Sequence, residues 1–463
     1  MGSGKRLSVG VPGLDRIVSG FEAPYTLLIA GHPGAGKTTL ATAMCYANAA
    51  EGRKCLYVSF YEDKGKYYKF MKRLGFDLEA VEGKGLYKFV NFPQVLDVEA
   101  IASEVSRLVA EGYEVVVVDS VTALLESIKE SSEKRAWLLN YFYQLPAVVN
   151  GLLILIAELP HGEERLELGS VEFIVDGVIL LKHRVEDGLL VRIIEVRKVR
   201  GAPQHVVETF FTIAEGVGVE VFAPPVLEEL PPESGELVTC NALEEGMRIR
   251  RGFVISLFYP PEPGIGLNTF IWVLSLAVKG NAKVLVISYT TPAQVIHEVI
   301  KNTLTEYGIP SEKAEEILDK HMVITALNPF AYSTTQLIAR ELIAIEQVKP
   351  DIVIFHGVHL QRRRAYTYTA ELKELFNEIM HLKSKGVTVF RVGTCLDEHM
   401  CNAEASLADI VFRFVRTPRG DGGMDTRIYI YERFKEPVVL PGSATSEFMK
   451  MWVREVKEHI EKP

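Results

Sequence analysis

The stretch Tyr25-Thr-Leu-Leu-Ile-Ala-Gly31-His32-Pro33-Gly34-Ala35-Gly36-Lys37-Thr38-Thr39 decides the fold of this chain. An apolar run typical of a buried strand leads directly into Gly31-x-x-x-x-Gly36-Lys37-Thr38, and Leu40-Ala-Thr-Ala-Met44 follows as helix. Glycines in such a loop let backbone N–H groups curve around phosphates, and the helix offers its N-terminus to the negative charge. The pattern therefore predicts a phosphate-binding loop for a nucleoside triphosphate, formed by residues 31–39.

Two side chains of this loop and one later acid have specific roles in the pattern. Lys37 is expected to reach the β- and γ-phosphates, and the Thr38 hydroxyl to ligate Mg²⁺. Asp119 ends the apolar run Glu114-Val-Val-Val-Val-Asp119, and an acid there in phosphate-loop folds holds the water shell of Mg²⁺. The alternative is a strand-end aspartate that caps the next helix. We therefore expect ATP and Mg²⁺ as ligands, with Thr38 and Asp119 at the metal.

Two further polar groups follow strand-like runs. Ser59-Phe-Tyr-Glu62-Asp63 ends the second run in carboxylates, at the sheet edge where ligands bind in open α/β folds. Glu62, ahead of Asp63, could polarise the water that attacks the γ-phosphate; the alternative is a solvated acid in a loop. Glu195-Val-Arg197-Lys198-Val-Arg200-Gly201 ends an alternating strand in cations, which taken alone indicates an exposed strand end.

Length and charge bound the class of protein. A chain of 463 residues suggests two or three domains, and a hydrophobic content of 48% allows sizeable cores. The net charge of −9 gives no global attraction to nucleic acid, although a local basic patch is compatible with it. The N-terminus lacks an apolar signal core, and the longest apolar run, Gly151–Ala157, is too short to span a bilayer. We expect a cytoplasmic protein that makes no use of a membrane.

The cysteines give a second indication of compartment. Five cysteines, odd in number and mostly far apart, suit a reducing cytosol. Cys395, His399 and Cys401 lie close together, but no second pair of ligands accompanies them. The sequence favours a loop that happens to hold these residues over a metal site.

Strand-like runs alternate with amphipathic helices through the first half. The runs are Tyr25–Ala30, Cys55–Phe60, Glu114–Asp119, Leu152–Ala157, Gly177–Lys182 and Leu189–Val199. This alternation predicts an α/β fold in which helices cover a mostly parallel sheet. The last two runs are joined by Val185-Glu-Asp-Gly188, a hairpin signal that predicts an antiparallel extension at one edge.

The order of elements then starts again beyond a segment rich in Pro and Glu. Gly36 matches Gly266 at an offset of 230 residues, Asp119 matches His356 at an offset of 237, and Arg200 matches Lys435 at an offset of 235. Such nearly constant offsets predict a tandem duplication. The predicted divisions are a first domain over 1–221, a linker over 222–240, a second domain over 241–447 and a C-terminal helix over 448–463.

The second copy lacks the chemical groups of the first. Leu267 stands for Lys37, Asn268 for Thr38, Thr291 for Glu62 and His356 for Asp119. Without the phosphate clamp, the metal ligands and the water activator, transition-state charge is not stabilised in the usual way. The second half is therefore predicted to be a pseudo-ATPase domain. Arg433-Phe-Lys435 is interpreted as a remnant of the strand-end cations Lys198 and Arg200 or as an interface contact.

Several of these stretches together resemble the KaiC family of the RecA/RadA superfamily of ATPases. They are the phosphate loop, Arg6-Leu-Ser-Val-Gly-Val-Pro-Gly-Leu-Asp15, Ser59-Phe-Tyr-Glu62, Val118-Asp-Ser-Val-Thr-Ala-Leu124 and Lys198-Val-Arg-Gly201. The resemblance covers residues 5–220 and extends more faintly to 447. It implies two tandem RecA-like domains and a ring of subunits, most often a hexamer, with ATP between neighbours. A Lys-x-Arg pair from the neighbour, here Lys198 and Arg200, would then join Lys37 and Glu62 as catalytic groups.

One departure from the family concerns the proposed base. The family usually shows two adjacent glutamates, and this chain has Tyr61-Glu62. If the first glutamate is the essential base, hydrolysis is slow or lost; if Glu62 suffices, turnover survives. We expect a slow Mg²⁺-dependent ATPase without autokinase activity, whose nucleotide state controls ring assembly or a protein partner that the sequence does not identify.

Two rival functions stay open at this point. One is a DNA-processing ATPase of the RadA type, which would bind single-stranded nucleic acid through Arg362–Arg364 and nearby aromatics. The acidic loop Pro160–Glu167 argues against it, so nucleic acid is the less favoured partner. The other rival is an ATP-dependent conformational sensor that does not hydrolyse.

Overall fold

The chain divides into two compact units, each with its own sheet and core. Unit 1 is Met1–Ala223 and unit 2 is Pro224–Pro463. The computed structural model describes residues 5–92, 97–128, 130–160, 171–186, 188–201, 208–222, 236–239, 248–261, 267–332, 334–361, 368–396, 398–418 and 424–460.

The strands of unit 1 carry the predicted apolar runs. They are β1 (Arg6–Leu7), β2 (Phe21–Glu22), β3 (Tyr25–Gly31), β4 (Cys55–Ser59), β5 (Tyr87–Asn91), β6 (Val115–Asp119), β7 (Leu152–Glu158), β8 (Gly177–Glu186), β9 (Leu189–Val199), β10 (Glu208–Ala214) and β11 (Gly218–Phe222). The helices are α1 (Leu14–Ile17), α2 (Lys37–Ala50), α3 (Lys64–Arg73), α4 (Leu78–Gly83), α5 (Val98–Val109), α6 (Val121–Ser127), α7 (Ser132–Val149) and α8 (Val171–Ile174).

Nine of these strands form one sheet in the order β11-β10-β9-β8-β3-β7-β6-β4-β5. Strands β3 to β8 are parallel, and β9 to β11 continue the sheet antiparallel. The parallel strands are buried on both faces, which is why β3 and β6 read as continuous apolar runs. The carboxyl ends of β3, β4, β6 and β7 meet at one edge, and this edge carries the candidate site.

Unit 2 repeats the arrangement. Its strands are β12 (Glu236–Thr239), β13 (Arg248–Arg250), β14 (Val254–Tyr259), β15 (Val284–Ser288), β16 (Met322–Ala326), β17 (Ile352–His356), β18 (Thr388–Thr394), β19 (Ile410–Pro418), β20 (Met424–Glu432) and β21 (Val438–Pro441). Its helices are α9 (Leu267–Gly280), α10 (Ala293–Glu306), α11 (Ser311–His321), α12 (Thr334–Val348), α13 (Val358–Gln361), α14 (Tyr368–Ser384), α15 (Glu398–Leu407) and α16 (Ala444–Ile460), with a 3-10 turn over Pro329–Ala331.

The sheet of unit 2 has the order β16-β15-β17-β18-β14-β19-β20-β21. Read from its other end, this order matches the eight strands from β10 to β5 of unit 1, with β14 in the place of β3 and β17 in the place of β6; β11 has no counterpart among the described strands of unit 2. Strands β14 to β19 are parallel, and β20 and β21 are antiparallel. The predicted α/β class, with two tandem RecA-like domains and antiparallel edge extensions, is confirmed.

The hairpin and the segments at the predicted domain borders lie as follows. Strands β8 and β9 pair antiparallel around the predicted Asp-Gly turn, whose residue 187 lies outside the described residues. Within the segment predicted as linker, Phe222 ends β11 and residues 236–239 pair with β13. The C-terminal helix α16 begins at Ala444, four residues before the predicted start at 448, and packs Trp452 into the core of unit 2.

One expectation about the cysteines is wrong. A disulfide joins Cys395 and Cys401, whereas the sequence indicated reduced thiols in a loop. Cys401 and His399 belong to α15, because the helix begins at Glu398, four residues after Thr394 ends β18. The sequence pattern did not reveal this helix start, and the helix brings the fourth residue of α15 beside Cys395.

Candidate active site

The phosphate loop leaves the end of β3 and enters α2. Gly34 and Gly36 adopt left-handed backbone conformations (φ +75° and +104°) that favour glycine. A Cβ atom on Gly31 would lie 2.2 Å from the carbonyl oxygen of Leu181, so the loop approaches β8 as closely as only glycine allows. Helix α2 begins at Lys37 with no side chain capping its first turn. Its first N–H groups are therefore available to phosphate oxygens.

The Lys37 ammonium lies folded back over the loop. Its Nζ donates to the carbonyl oxygens of Gly31 (2.9 Å) and His32 (3.0 Å) and to Oε2 of Glu158 (2.7 Å). Lys37 is 5% exposed, whereas the Glu158 side chain at the end of β7 is 43% exposed. The cation is thus fixed at the mouth of the loop and is counterbalanced by an acid that the sequence analysis did not single out.

Thr38 and Asp119 meet as the sequence analysis expected of metal ligands. The Thr38 hydroxyl donates to Oδ2 of Asp119 (2.8 Å), and the Tyr57 hydroxyl donates to the same oxygen (2.8 Å). Burial raises the pKa of Asp119, and the two hydroxyl donors oppose that shift. The cap of α6 is Ser120, whose side chain accepts from the N–H of Ala123. Asp119 therefore does not serve as the helix cap that was the alternative interpretation.

The segment after β4 separates the roles of its acids. Asp63 caps α3 by accepting from the N–H of Lys66 (2.9 Å). The backbone of Glu62 is held on both sides, because its N–H donates to Oγ of Ser59 (3.1 Å) and its carbonyl accepts from Asn91 (2.6 Å). The Glu62 side chain is half-buried. The adjacent Tyr61, in the position where the family usually has a first glutamate, is 60% exposed.

A cavity of about 1000 Å³ opens above the loop. It is lined by loop residues and by Tyr61, Thr122, Glu126, Arg135, Glu158 and Arg192, while Glu62 is not among the lining residues. The Nε atom of Arg192 is buried without a hydrogen-bond partner among the described residues, and burial lowers the pKa of this guanidinium. Arg192 comes from β9, where no local sequence signal distinguishes it from the other strand cations.

Lys198 and Arg200 lie away from this cavity. Lys198 pairs with Val178 on β8, three residues before the Leu181 that pairs with Gly31, which is about 10 Å along the strand. Its Nζ donates to the Val175 carbonyl (2.6 Å), and Arg200 donates to Asp176 (2.9 Å), five residues before Leu181. Both cations therefore lie toward the opposite sheet edge from the loop of their own chain.

The corresponding strand end in unit 2 carries an aromatic side chain. Tyr259 ends β14 as Gly31 ends β3, its ring stacks on Phe414 at 4.4 Å between ring centres, and its hydroxyl bonds Oγ1 of Thr269 in the first turn of α9 (2.6 Å). The side chain thus spans from the strand end to the helix. The connection from Tyr259 to Leu267 is also two residues longer than that from Gly31 to Lys37. Its residues 262–266, which include the predicted glycine loop, lie outside the described residues.

Two other predicted features of unit 2 can be placed. His356 ends β17 as Asp119 ends β6, and burial lowers its pKa to about 4. The predicted equivalence of Lys435 with Arg200 is wrong, because Arg433 makes the matching contacts: its N–H donates to the Asp409 carbonyl as that of Arg200 donates to Asp176. Tyr431, which pairs with Val411, takes the place of Lys198. The basic pair is therefore reduced to one cation at the matched positions.

The described residues fit the expected ligands. Thr38 and Asp119 supply the oxygen donors that Mg²⁺ prefers. The uncapped turn of α2, Lys37 and Arg192 offer positive groups around a cavity large enough for a nucleotide. The predicted nucleic-acid segment Arg362–Arg364 and most of the acidic loop 160–167 lie outside the described residues.

Comparisons with known proteins agree with this geometry. The family model described as the ATPase KaiC matches residues 7–226. The chain is 26% identical over 253 residues to the circadian clock protein KaiC3 of Synechocystis. The aligned region covers 52% of this chain and 50% of that protein. It is 27% identical over 253 residues to a UPF0273 protein of Thermotoga maritima, covering 50% of this chain and 98% of that protein. The chain thus spans about half the length of KaiC3 and nearly the whole of the shorter UPF0273 protein. Within the described residues, the helices are too short or too polar to cross a membrane.

Proposed function

Residues 7–226 are a KaiC-like ATPase domain of the RecA/RadA superfamily, and from that premise we propose that unit 1 binds Mg²⁺ and ATP and hydrolyses the ATP slowly. The observation that carries the proposal is that Lys37 and Thr38 line one cavity, with the Asp119 carboxylate hydrogen-bonded to the Thr38 hydroxyl. These three groups match the phosphate clamp and metal ligands of phosphate-loop enzymes.

In the proposed reaction, each residue of unit 1 has a task that its position supports. Lys37 exchanges its contact with Glu158 for the β- and γ-phosphates, since the carbonyls of Gly31 and His32 keep its ammonium at the loop. Thr38 and Asp119 hold Mg²⁺, which when bound neutralises charge on the phosphates. Glu62, with its backbone fixed by Ser59 and Asn91, orients the attacking water and accepts its proton.

The proposed site is completed by a second copy of the chain. Lys198 and Arg200 point away from their own loop, so they can reach a γ-phosphate only when a neighbour presents its loop to them. A head-to-tail contact of this kind closes into a ring when the rotation between subunits permits. We propose a ring, with six subunits as the family resemblance implies, whose assembly or protein partner responds to the bound nucleotide.

Unit 2 is proposed to be a pseudo-ATPase domain. Tyr259 stands at the strand end where unit 1 has Gly31, with its ring stacked on Phe414 and its hydroxyl bonded to Thr269 in the first turn of α9. His356 replaces the acid at the metal, and an imidazole held neutral by burial is a poor ligand for Mg²⁺. This unit would act as a structural or partner-binding module without autokinase activity.

One observation favours the non-hydrolysing sensor as a second candidate. Tyr61 lines the cavity, whereas Glu62 does not. If Glu62 cannot reach the attacking water, ATP would bind and change the conformer or oligomer without release of phosphate. The DNA-processing alternative has no comparable support.

The deciding experiment measures phosphate release by wild-type chain and by Glu62→Gln, together with mass determination in ATP and in ADP. Loss of turnover in Glu62→Gln, with ATP binding retained, is the expected result for the enzyme. Asp63→Asn is the matched control, because Asp63 caps α3 and should affect stability rather than turnover. Unchanged turnover in Glu62→Gln removes Glu62 from the mechanism, and tight ATP binding without phosphate release over hours favours the sensor. Stimulation by single-stranded DNA at low salt would instead support the DNA-processing ATPase.

A further inference from the structure

The disulfide of unit 2 ties a helix to the end of a core strand. Cys395 follows directly after Thr394, the last residue of β18, and Cys401 is the fourth residue of α15. Their Cα atoms lie 5.8 Å apart, as is usual for a disulfide. The bond thus fixes the first turn of α15 at the carboxyl edge of the unit 2 sheet, the edge that in unit 1 carries the candidate site.

A buried ion pair joins the same two elements. Arg391 of β18 donates through Nε (2.6 Å) and Nη2 (2.8 Å) to the two oxygens of Glu404 in α15. Arg391 is 1% exposed, and a guanidinium at that depth requires its carboxylate partner. Glu404 lies three residues beyond Cys401, so the disulfide and the ion pair hold successive turns of α15 against β18.

The two cysteines of the disulfide differ in exposure to solvent. Cys395 is half-buried, and the adjacent Leu396 is 50% exposed, whereas Cys401 is 5% exposed and packs in the apolar core. Of the two, Cys395 is therefore the more accessible to a dissolved thiol. Among the remaining described residues, the only cysteines are Cys45 and Cys55, and both are buried in unit 1.

We propose that Cys395 and Cys401 are a reversible dithiol–disulfide site whose reaction partners are low-molecular-weight thiols and disulfides, and whose redox state sets how firmly α15 is held. In the reducing direction, a thiolate attacks Cys395, the Cys395–Cys401 bond breaks, and Cys401 leaves as a thiolate that takes up a proton. A second thiolate attacks the mixed disulfide at the sulfur of the bound small molecule. This step releases a small-molecule disulfide and leaves Cys395 as a thiol after protonation, so two electrons pass from two thiols to the protein.

The ion pair explains why reduction would loosen α15 without unfolding unit 2. After the disulfide opens, Arg391 still holds Glu404, so the second turn of the helix keeps its anchor. The first turn, which carries the exposed residues Glu398 and His399, loses its covalent tether. The redox state of the surrounding thiols would thus determine how firmly the first turn of α15 is held at the carboxyl edge of the unit 2 sheet.

The test compares the full chain in oxidised and reduced glutathione buffers, with alkylation of denatured samples and hydrogen exchange of the peptide that covers 398–407. We expect two additional alkylated cysteines after reduction, and amide exchange in α15 that is about ten- to fortyfold faster, the range set by the closure entropy of so short a loop. Exchange in β14 and β18 is the internal control and should not change.

Cys395→Ser separates the redox effect from a general effect of reductant. This chain should show the fast exchange of reduced wild type in both buffers, and Glu404→Gln should loosen α15 while leaving the cysteine pair able to close. If wild-type Cys395 and Cys401 alkylate equally in both buffers, or if α15 exchanges at one rate in both, the proposal is wrong. Neither result bears on ATP hydrolysis in unit 1.

Discussion

Lys198 and Arg200 offer a test in which two inactive proteins should restore one another. The first protein carries Lys198→Ala and Arg200→Ala and keeps its phosphate loop. The second carries Lys37→Ala and keeps both cations. Because Lys198 lies about 10 Å and Arg200 about 16 Å along the strand from the level of the loop, neither can serve its own chain.

The magnitudes follow from the geometry of a head-to-tail contact. The protein without Lys198 and Arg200 should lose about a thousandfold or more of its ATPase rate, as enzymes do that lose a cationic finger in trans, and the protein without Lys37 should be inactive because it lacks the phosphate clamp. In an equal mixture, half of the loops are intact and half of the neighbouring cations are intact. About a quarter of the sites then combine both, so the mixture should recover about a quarter of the wild-type rate whatever the number of subunits.

The assay is steady-state phosphate release after the two proteins are mixed and allowed to exchange subunits. Arg197→Ala is the matched control, because its side chain pairs with Glu195 on the same strand and is not assigned to the site. This control alone should keep the wild-type rate. A mixture that stays as inactive as its parts, while mass measurement shows mixed rings, would refute the contribution in trans. Full activity of the Lys198→Ala, Arg200→Ala protein alone would show that the cations are not needed.

Three other perturbations have expected outcomes. Mg²⁺ should bind more weakly as the pH falls through the raised pKa of Asp119, since the protonated carboxyl is a poor ligand. Calorimetric titration at about pH 5 and about pH 8 measures the two affinities, and equal values would contradict the prediction. Glu158→Gln should tighten ATP binding by up to about fivefold, because Lys37 must give up its ion pair with Glu158 to bind phosphate. An ion pair whose acid is 43% exposed contributes at most about 1 kcal/mol. Weaker ATP binding by the variant in a nucleotide titration would contradict this. The pKa of His356 is lowered to about 4 by burial and by nearby His359, so the unfolded chain binds more protons below about pH 6.5. The unfolding free energy of unit 2 should therefore fall by roughly 3 kcal/mol between about pH 6.5 and about pH 4, and urea unfolding of His356→Asn should lack that slope.

The parts of the site that lie on one continuous stretch were predictable. Residues 31–39 combine a buried strand, a glycine loop and a helix start, and each of these signals is local. Asp119, which accepts from Thr38, could be placed because the carboxyl ends of parallel strands meet at one edge. The role of Glu62, derived from the same rule, stays a prediction. The same rule applied to β7 would have indicated Glu158, which directly follows an apolar run.

Other features depend on register or on small insertions, which a single sequence does not display. Arg192 reaches the cavity only because β9 folds back antiparallel on β8, and nothing near it in sequence marks that position. Arg433, and not Lys435, lies opposite Asp409 as Arg200 lies opposite Asp176. The sequence match was wrong by two residues because connections between strands differ in length between the two units. The disulfide depended on a helix start at Glu398 that the pattern around it did not signal.

The stack of Tyr259 on Phe414 bears on how this protein can change over generations. Restoring lysine at Leu267 and threonine at Asn268 would return the chemical groups of a phosphate loop, but Tyr259 would still stand at the strand end where unit 1 has Gly31, a position with no room for a Cβ atom in unit 1. Removing Tyr259 first would leave a cavity in the core and lower stability by about 3 to 5 kcal/mol, with no nucleotide site yet formed to offset the loss. Any path back to a working second site thus passes through an unstable intermediate. The specialisation of unit 2 is held in place by its own packing, and selection acting through single substitutions would keep it there.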